Sequence, residues 1–379
     1  MTAASLASQA EKAVKWSAFT TGARFLLQLG AQVALARLLG PGNYGVYGIG
    51  ISVLTFAAFL SGSAFSYSLL LQQTPVSDED VRFAFTWQML AGAAMALAML
   101  AGAPALAAFF ADPQLEPVVQ WLSLACLLTA LAAPAVSLLQ RDLNFRGLGL
   151  VQLASYAAGY LAVGLPLAMT GWGAQALAIA SVVQCATTLV GAYALKRHPL
   201  RPLLRHSGSQ VALGTGRTVF FTNIVNWLLG NLDRIIIGRV LGAHAVGLYA
   251  LAYNFAQIPQ TLLVSAIQPT FVASGAKLGA EPQRLAEAWL LVLACVLVLV
   301  TPAALAMALV SHDLVALLYG NAWSEAGWLL AVMFLCLPAW TCWALATPVL
   351  WNTGPKHLGG RLQVPLLGPA GPAGGGRSQ

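Results

Sequence analysis

Charged side chains in this sequence fall into short clusters separated by long apolar runs. No charged residue lies between Arg37 and Asp78, and the same holds for 83–111, 117–140, 147–195 and 326–355. An α-helix needs roughly 20 apolar residues, at about 1.5 Å each, to cross about 30 Å of hydrocarbon. Most of these intervals hold one such span, and 147–195 holds two, divided at Gly171-Trp172-Gly173. The pattern predicts ten helices, over 13–37, 43–71, 82–110, 116–139, 147–169, 173–195, 216–239, 245–273, 284–310 and 325–351. Turn and breaker residues lie between them at Pro41-Gly42-Asn43, Thr74-Pro75, Asp112-Pro113, Gly171, Pro199 and Pro202, Gly279 and Pro282, and Gly320-Asn321. Interior prolines such as Pro104, Pro134 and Pro302 are tolerated because neighbouring helices re-satisfy the freed carbonyls. The expected fold class is an all-α polytopic membrane protein.

Composition agrees with the pattern. Of 379 residues, 59% are hydrophobic and 8% are charged, against about 25% charged in a typical soluble domain. Residues 1–15 are polar and lack the apolar core and small-residue cleavage site of a secretory signal. Cys126, Cys185, Cys295, Cys336 and Cys342 all lie in apolar runs, without a CxxC or a histidine at ligand spacing, and read as small hydrophobes. Neither a metal nor a cofactor is implied.

The cations give the orientation. One side of the membrane receives fifteen of the nineteen Lys and Arg residues, including Lys12, Lys15, Arg82, Arg141, Arg146 and the Lys196–Arg205 cluster. Arg37 and Arg239 go to the other side, and Arg24 and Arg234 lie within spans. Such a bias marks the cation-rich side as cytoplasmic, which places the N-terminus and the long basic loop on the cytoplasmic side of a bacterial inner membrane. The net charge of +7 is then a topology signal and gives no reason to expect nucleic acid as a partner.

The chain also repeats itself. Ala36-Arg37-Leu38-Leu39-Gly40 with Gly45-Val46-Tyr47 matches Gly238-Arg239-Val240-Leu241-Gly242 with Gly247-Leu248-Tyr249, at a constant offset of 202. Both copies join the end of one span to the start of the next, and their glycines would let two helices approach closely. The offset pairs spans one to four with seven to ten, as a parallel repeat about an axis along the membrane normal. Five segments follow: a cytoplasmic N-terminal piece (1–12), a six-helix bundle (13–195), a basic cytoplasmic loop (196–215), a second bundle of four helices (216–355) and a Gly/Pro-rich tail (356–379). Residues 359–379 hold seven glycines and three prolines and no spanning run, so the tail is expected to be disordered. The second bundle is then two helices short of the first, as in a truncated or frameshifted terminus.

These features resemble a known family. The Lys-containing first helix runs into Ala36-Arg37-Leu38-Leu39-Gly40-Pro41-Gly42-Asn43-Tyr44-Gly45-Val46-Tyr47. Leu139-Gln140-Arg141-Asp142-Leu143-Asn144-Phe145-Arg146 precedes the fifth span, Asn231-Leu232-Asp233-Arg234-Ile235-Ile236-Ile237-Gly238 lies in the seventh, and Leu317-Leu318-Tyr319-Gly320-Asn321-Ala322-Trp323 precedes the tenth. In this order and spacing they look like the polysaccharide flippases of the multidrug/oligosaccharidyl-lipid/polysaccharide exporter superfamily, the Wzx-like lipopolysaccharide-biosynthesis proteins. The resemblance covers residues 12 to about 355 and departs at the tail. It implies two facing helical bundles around a central cavity. It further implies alternating access that moves undecaprenyl-pyrophosphate-linked oligosaccharide from the cytoplasmic to the periplasmic leaflet. Partners implied are that lipid-linked oligosaccharide, membrane lipids, and a polysaccharide polymerase with its export machinery.

Candidate residues are few. Arg24 sits alone inside an apolar span, where an arginine costs at least about 2.5–3.5 kcal/mol and should face a cavity or a partner. Two readings stand side by side: a planar fork that grips pyrophosphate, or a structural pair between helices. The repeat places Asn226 opposite it. Asp233 reads as an interfacial partner of Arg234 or as an ion-coupling carboxylate, with Arg234 as a second anion contact or a snorkelling side chain. Asn223, Asn226 and Asn231 recur near one helical face and either line a sugar path or bond helix to helix. Trp16, Trp121, Trp172, Trp323, Trp328 and Trp351 fall near span ends and read as interfacial anchors. Arg141, Asp142 and Arg146 anchor helices at the cytoplasmic side or serve a gate.

Competing functions differ in what they require. A cation-coupled drug antiporter would want buried carboxylates, and Asp233 is the single acid beyond the first turn of a predicted span. A membrane polysaccharide enzyme would want a large hydrophilic loop or a His/Asp pair, whereas His198, His206, His244, His312 and His357 are scattered. A non-functional remnant is the third alternative. An ATP-driven pump would need another subunit, because no GxxxxGK[ST] occurs. The expectation is transport and not catalysis.

Overall fold

A backbone in hydrocarbon must satisfy its own N–H and C=O groups, so the apolar runs have no soluble alternative to helix. The computed structural model describes residues 3–61, 69, 76–204, 209–278 and 282–353, and among them regular structure is entirely helical. The helices are α1 (Ala3–Leu60), α2 (Asp78–Phe110), α3 (Leu115–Arg141), α4 (Phe145–Met169), α5 (Ala174–Leu195), α6 (Ser209–Leu278), α7 (Pro282–Tyr319) and α8 (Ser324–Thr353). Each holds a stretch long and apolar enough to cross a membrane, eight in all among the described residues. The protein is a multi-pass membrane protein. Its outward side chains fit that solvent: Leu309, Val298 and Val240 are all more than 70% exposed, which water would not tolerate over such an area.

Two helices are broken at related glycines. α1 turns at Gly40 (φ 70°, ψ 172°) and α6 at Gly242 (φ 82°, ψ 175°), in the left-handed region that a Cβ would strain. Pro41 reinforces the first break because it has no N–H to continue the helix. Counting the arms of α1 and α6 separately recovers the ten segments of the hydrophobic pattern. Where that pattern placed short loops, the chain changes direction at one glycine and resumes helix at once. The helices also begin early. α1 runs back to Ala3 instead of 13, and α6 to Ser209 instead of 216, because extending a nucleated helix is cheap once the apolar span has formed. The tail expected to be disordered lies outside the described residues.

The other ends follow local rules. Ser77 caps α2 by accepting from the Asp80 N–H at 3.2 Å while Asp80 accepts from the Ser77 N–H at 3.0 Å, a reciprocal box. Asn144 caps α4 by accepting from the Gly147 N–H at 3.0 Å. Within α4, residues Ala157–Gly164 widen into a π turn.

The chain forms two compact units. The first comprises Met1–Ala250 with Leu317–Trp323, and its core joins Val46 and Ile49 of α1, Phe110 of α2, Val118 and Leu122 of α3, and Val246 of α6. The second comprises Leu251–Ala316 with Ser324–Gln379, where Val296, Val300 and Ala304 of α7 pack on Leu337 and Leu345 of α8. There the Ser311 hydroxyl donates to the Gly327 carbonyl at 3.0 Å and the Trp289 indole N–H to the Leu345 carbonyl at 3.3 Å. The division falls within α6 and not at the 196–215 loop, because Ile235, Ile237 and Ala243 are packed into the first unit's core.

Candidate functional site

Arg24 lies on the first arm of α1, half-buried. Its Nη1 donates to Oε1 of Gln152 on α4 at 2.8 Å. The partner is a neutral amide, and no described carboxylate pairs with the guanidinium. The positive charge is thus held in place without being cancelled. One turn along α4, Tyr156 stacks on Tyr160 with ring centroids 4.6 Å apart.

Beyond that stack is a knot of hydroxyls. Tyr47 Oη, on the second arm of α1, lies 2.7 Å from Tyr160 Oη and 2.7 Å from Ser181 Oγ of α5. Tyr160 Oη and Ser181 Oγ are 2.9 Å apart, so three helices share one closed set of hydrogen bonds. Tyr160 stands in the π turn of α4, where the extra residue redirects a side chain that a regular helix would aim elsewhere.

The repeat mate of Tyr47 is Tyr249, and it too bonds a polar group. Its hydroxyl donates to Oδ2 of Asp233, whose Oδ1 accepts from the Arg234 N–H at 2.8 Å. Arg234 itself borders a cavity of about 200 Å³ between α1, α2 and α6, walled by Phe56, Phe109, Phe110 and Trp227. The Trp227 indole N–H donates to Thr55 Oγ1 at 3.1 Å, fixing the α1–α6 side of that cavity.

Far from Arg24, the broken turns lock. The Trp323 indole N–H donates to the Ala36 carbonyl at 3.0 Å, and Arg37 donates to the carbonyls of Leu317 and Leu318 at the end of α7. These are carbonyls that a helix C-terminus leaves without intrahelical partners. At the opposite, cation-rich end, Lys196 and Asp142 form an ion pair at 2.5 Å that ties α5 to the end of α3.

The profile of the polysaccharide biosynthesis protein family matches residues 34–327. The protein belongs to that family. It is 27% identical over 328 residues to the lipopolysaccharide biosynthesis protein WzxC of Escherichia coli K12, covering 85% of this chain and 65% of that one. It is 26% identical over 344 residues to the succinoglycan biosynthesis transport protein ExoT of Rhizobium meliloti, covering 90% of this chain and 69% of that one. The chain therefore spans about two thirds of the length of these relatives. Its fold is that of a multidrug resistance MATE family transporter of the MOP superfamily solved in an inward-facing conformation, with a TM-score of 0.64 at 12% identity over 87% of this chain and 81% of that one. The motifs that resemble Wzx-like proteins, from Ala36 to Trp323, all fall within the region matched by that family.

The expected residues do not form one cluster. Arg24 lies sixteen residues before the Gly40 break and Arg234 eight before the Gly242 break. At 1.5 Å per residue these are about 24 Å and about 12 Å from the paired turns. The two guanidiniums sit at different depths. Asn231 donates to the Trp227 carbonyl at 3.0 Å, back-bonding its own helix, while the side chains of Asn223 and Asn226 lie outside the described residues. Trp323 is a correction. Read as an interfacial anchor, it is fully buried, because the Gly320 turn folds it against Ala36 and Tyr44. Trp172 and Trp328 are exposed as anchors should be. Sequence reasoning passed over Gln152, Tyr160 and Ser181, which carry no local signal. Tyr47 and Tyr249 did carry one, being equivalent positions of the repeat.

Proposed function

We propose that this protein moves a lipid-linked oligosaccharide, an undecaprenyl-pyrophosphate-linked polysaccharide precursor, from the cytoplasmic to the periplasmic leaflet by alternating access. The observation that carries the reading is the Arg24–Gln152 bond. A structural pair would place a carboxylate against the guanidinium. A neutral amide positions the fork and leaves its charge for an anionic ligand such as a pyrophosphate. The difference in depth between Arg24 and Arg234 suits a substrate that meets them in succession. The drug-antiporter reading wants a carboxylate open to a cation, yet both oxygens of Asp233 are engaged by Tyr249 and the Arg234 backbone. The inner-membrane location, the cytoplasmic N-terminus and the docking of a polymerase and export machinery belong to the same proposal.

The test is binding of undecaprenyl pyrophosphate to the purified chain, beside restoration of surface polysaccharide in a flippase-deficient host. Arg24→Ala should accumulate normally and lose about tenfold or more in binding, the scale of a charged hydrogen bond. Arg24→Lys should retain part. Gln152→Leu should behave as an intermediate case, since it frees the fork without removing it. Lowered abundance of Arg24→Ala with unchanged binding per molecule would sink the assignment.

A further inference from the structure

The structure assigns a lipid site away from Arg24: a groove for one anionic phospholipid at the cation-rich end of the first unit. It does not rest on the flippase reading. The groove has a volume of about 530 Å³, within the range of roughly 300–1,000 Å³ that holds one small ligand or one lipid chain. Phe85 of α2, Leu131 of α3 and Leu189 with Val190 of α5 form its walls, and Arg197 stands at its mouth. Val190 is 68% exposed, so the open side of the groove is the apolar outer face of a span. Lipid is what such a face meets in a bilayer.

The mouth of the groove is built by the chain that follows α5. Residues 197–204 cross the end of α2 as a strap. Arg82 donates to the Arg201 carbonyl at 3.0 Å, the Leu203 N–H donates to Thr86 Oγ1 at 2.9 Å, and the Trp87 indole N–H donates to the Leu204 carbonyl at 3.3 Å. His198 is buried under the strap between the rings of Phe85 and Tyr193, each 5.3 Å away. The strap therefore fixes Arg197 at the level where the span ends. Charge selects the occupant. Lys196 is neutralised by Asp142, whereas no described carboxylate pairs with Arg197, which is exposed. An apolar slot with a free guanidinium at the headgroup level suits an acyl chain under a phosphate, and basic pockets between helices at this level recognise anionic headgroups.

Native mass spectrometry of the full chain, titrated with phosphatidylglycerol or phosphatidylcholine from detergent, reads the site directly. One phosphatidylglycerol should bind in preference to phosphatidylcholine. Arg197→Ala should lose about fivefold of that preference, the equivalent of one juxtamembrane cation, and Arg197→Lys should keep most of it. Ala194→Trp, which fills the groove from its exposed rim, should abolish the tight site for both lipids while leaving the helical content unchanged. Equal binding of the two lipids by the parent chain would overturn the proposal, as would an unchanged preference in Arg197→Ala. Displacement of phosphatidylglycerol by equimolar undecaprenyl phosphate would overturn it as well, by showing that the groove belongs to the transported lipid.

Discussion

Gly45 and Gly247 pack backbone against backbone, and each approaches the chain opposite the other's turn. A Cβ on Gly45 would stand 1.7 Å from the Ala243 carbonyl oxygen, and a Cβ on Gly247 would stand 2.0 Å from the Pro41 carbonyl oxygen. Pro41 and Ala243 are themselves 202 positions apart, as are Gly45 and Gly247. The contact is reciprocal, so the two turns meet about a local two-fold axis. Nothing but glycine allows this approach.

Gly45→Ala and Gly247→Ala should each destabilise the protein, by about 1–3 kcal/mol as overpacking. Their sum should exceed the loss in the double variant, since the first Cβ already parts the backbones that the second would clash with. Thermal or denaturant unfolding in detergent reads both quantities. Additive losses would mean that the two glycines do not share one contact.

Tyr47 and Tyr249 occupy the same place in the repeat but should not respond equally to loss of the hydroxyl. Tyr249 bonds a carboxylate and Tyr47 bonds two neutral hydroxyls that also bond each other. Tyr249→Phe should cost about 1.5–3 kcal/mol and Tyr47→Phe about 0.5–1.5 kcal/mol. Asp233→Asn in the Tyr249→Phe background should recover part of the loss. Equal costs for the two tyrosines would argue that Asp233 does not depend on Tyr249.

Trp323→Phe should lower the unfolding temperature by removing the bond to the Ala36 carbonyl while keeping most of the buried ring. Trp323→Ala should cost far more, about 3–5 kcal/mol, through the cavity it leaves. Arg37→Lys should fail to replace Arg37, because two adjacent carbonyls are bonded by one planar fork. Full recovery by lysine would show that charge alone matters there.

Burial between two rings lowers the His198 pKa below its usual 6.5. The folded protein therefore resists protonation more than the unfolded chain does. The strap's stability is fully present above the unfolded value and is lost as pH falls through it towards the folded one. Hydrogen-exchange protection over 197–204, corrected for the intrinsic exchange rate, should fall as pH drops below about 6.5, and His198→Phe should remove the pH dependence. A loss of protection that persists in His198→Phe would place the titration elsewhere.

The periodicity of charge and apolar run settled the helical class of the chain and the solvent it requires, since hydrocarbon leaves a backbone no choice but helix. The constant offset of 202 announced the repeat, and it picked out Gly40 and Gly242, the two places where helices break. The isolation of Arg24 marked it as a residue in need of a reason. Tertiary structure decided what each of these residues meets. It paired Arg24 with an amide 128 positions away, and it drew Tyr160 and Ser181 to Tyr47 through a π turn that hydrophobic pattern does not register. It buried Trp323, which by position looked interfacial, and set Arg24 and Arg234 at separate depths. Sequence pattern reports how a segment relates to its solvent, one helix at a time. Partners across helices depend on rotation, depth and break angle, and these are fixed only when the packed faces meet.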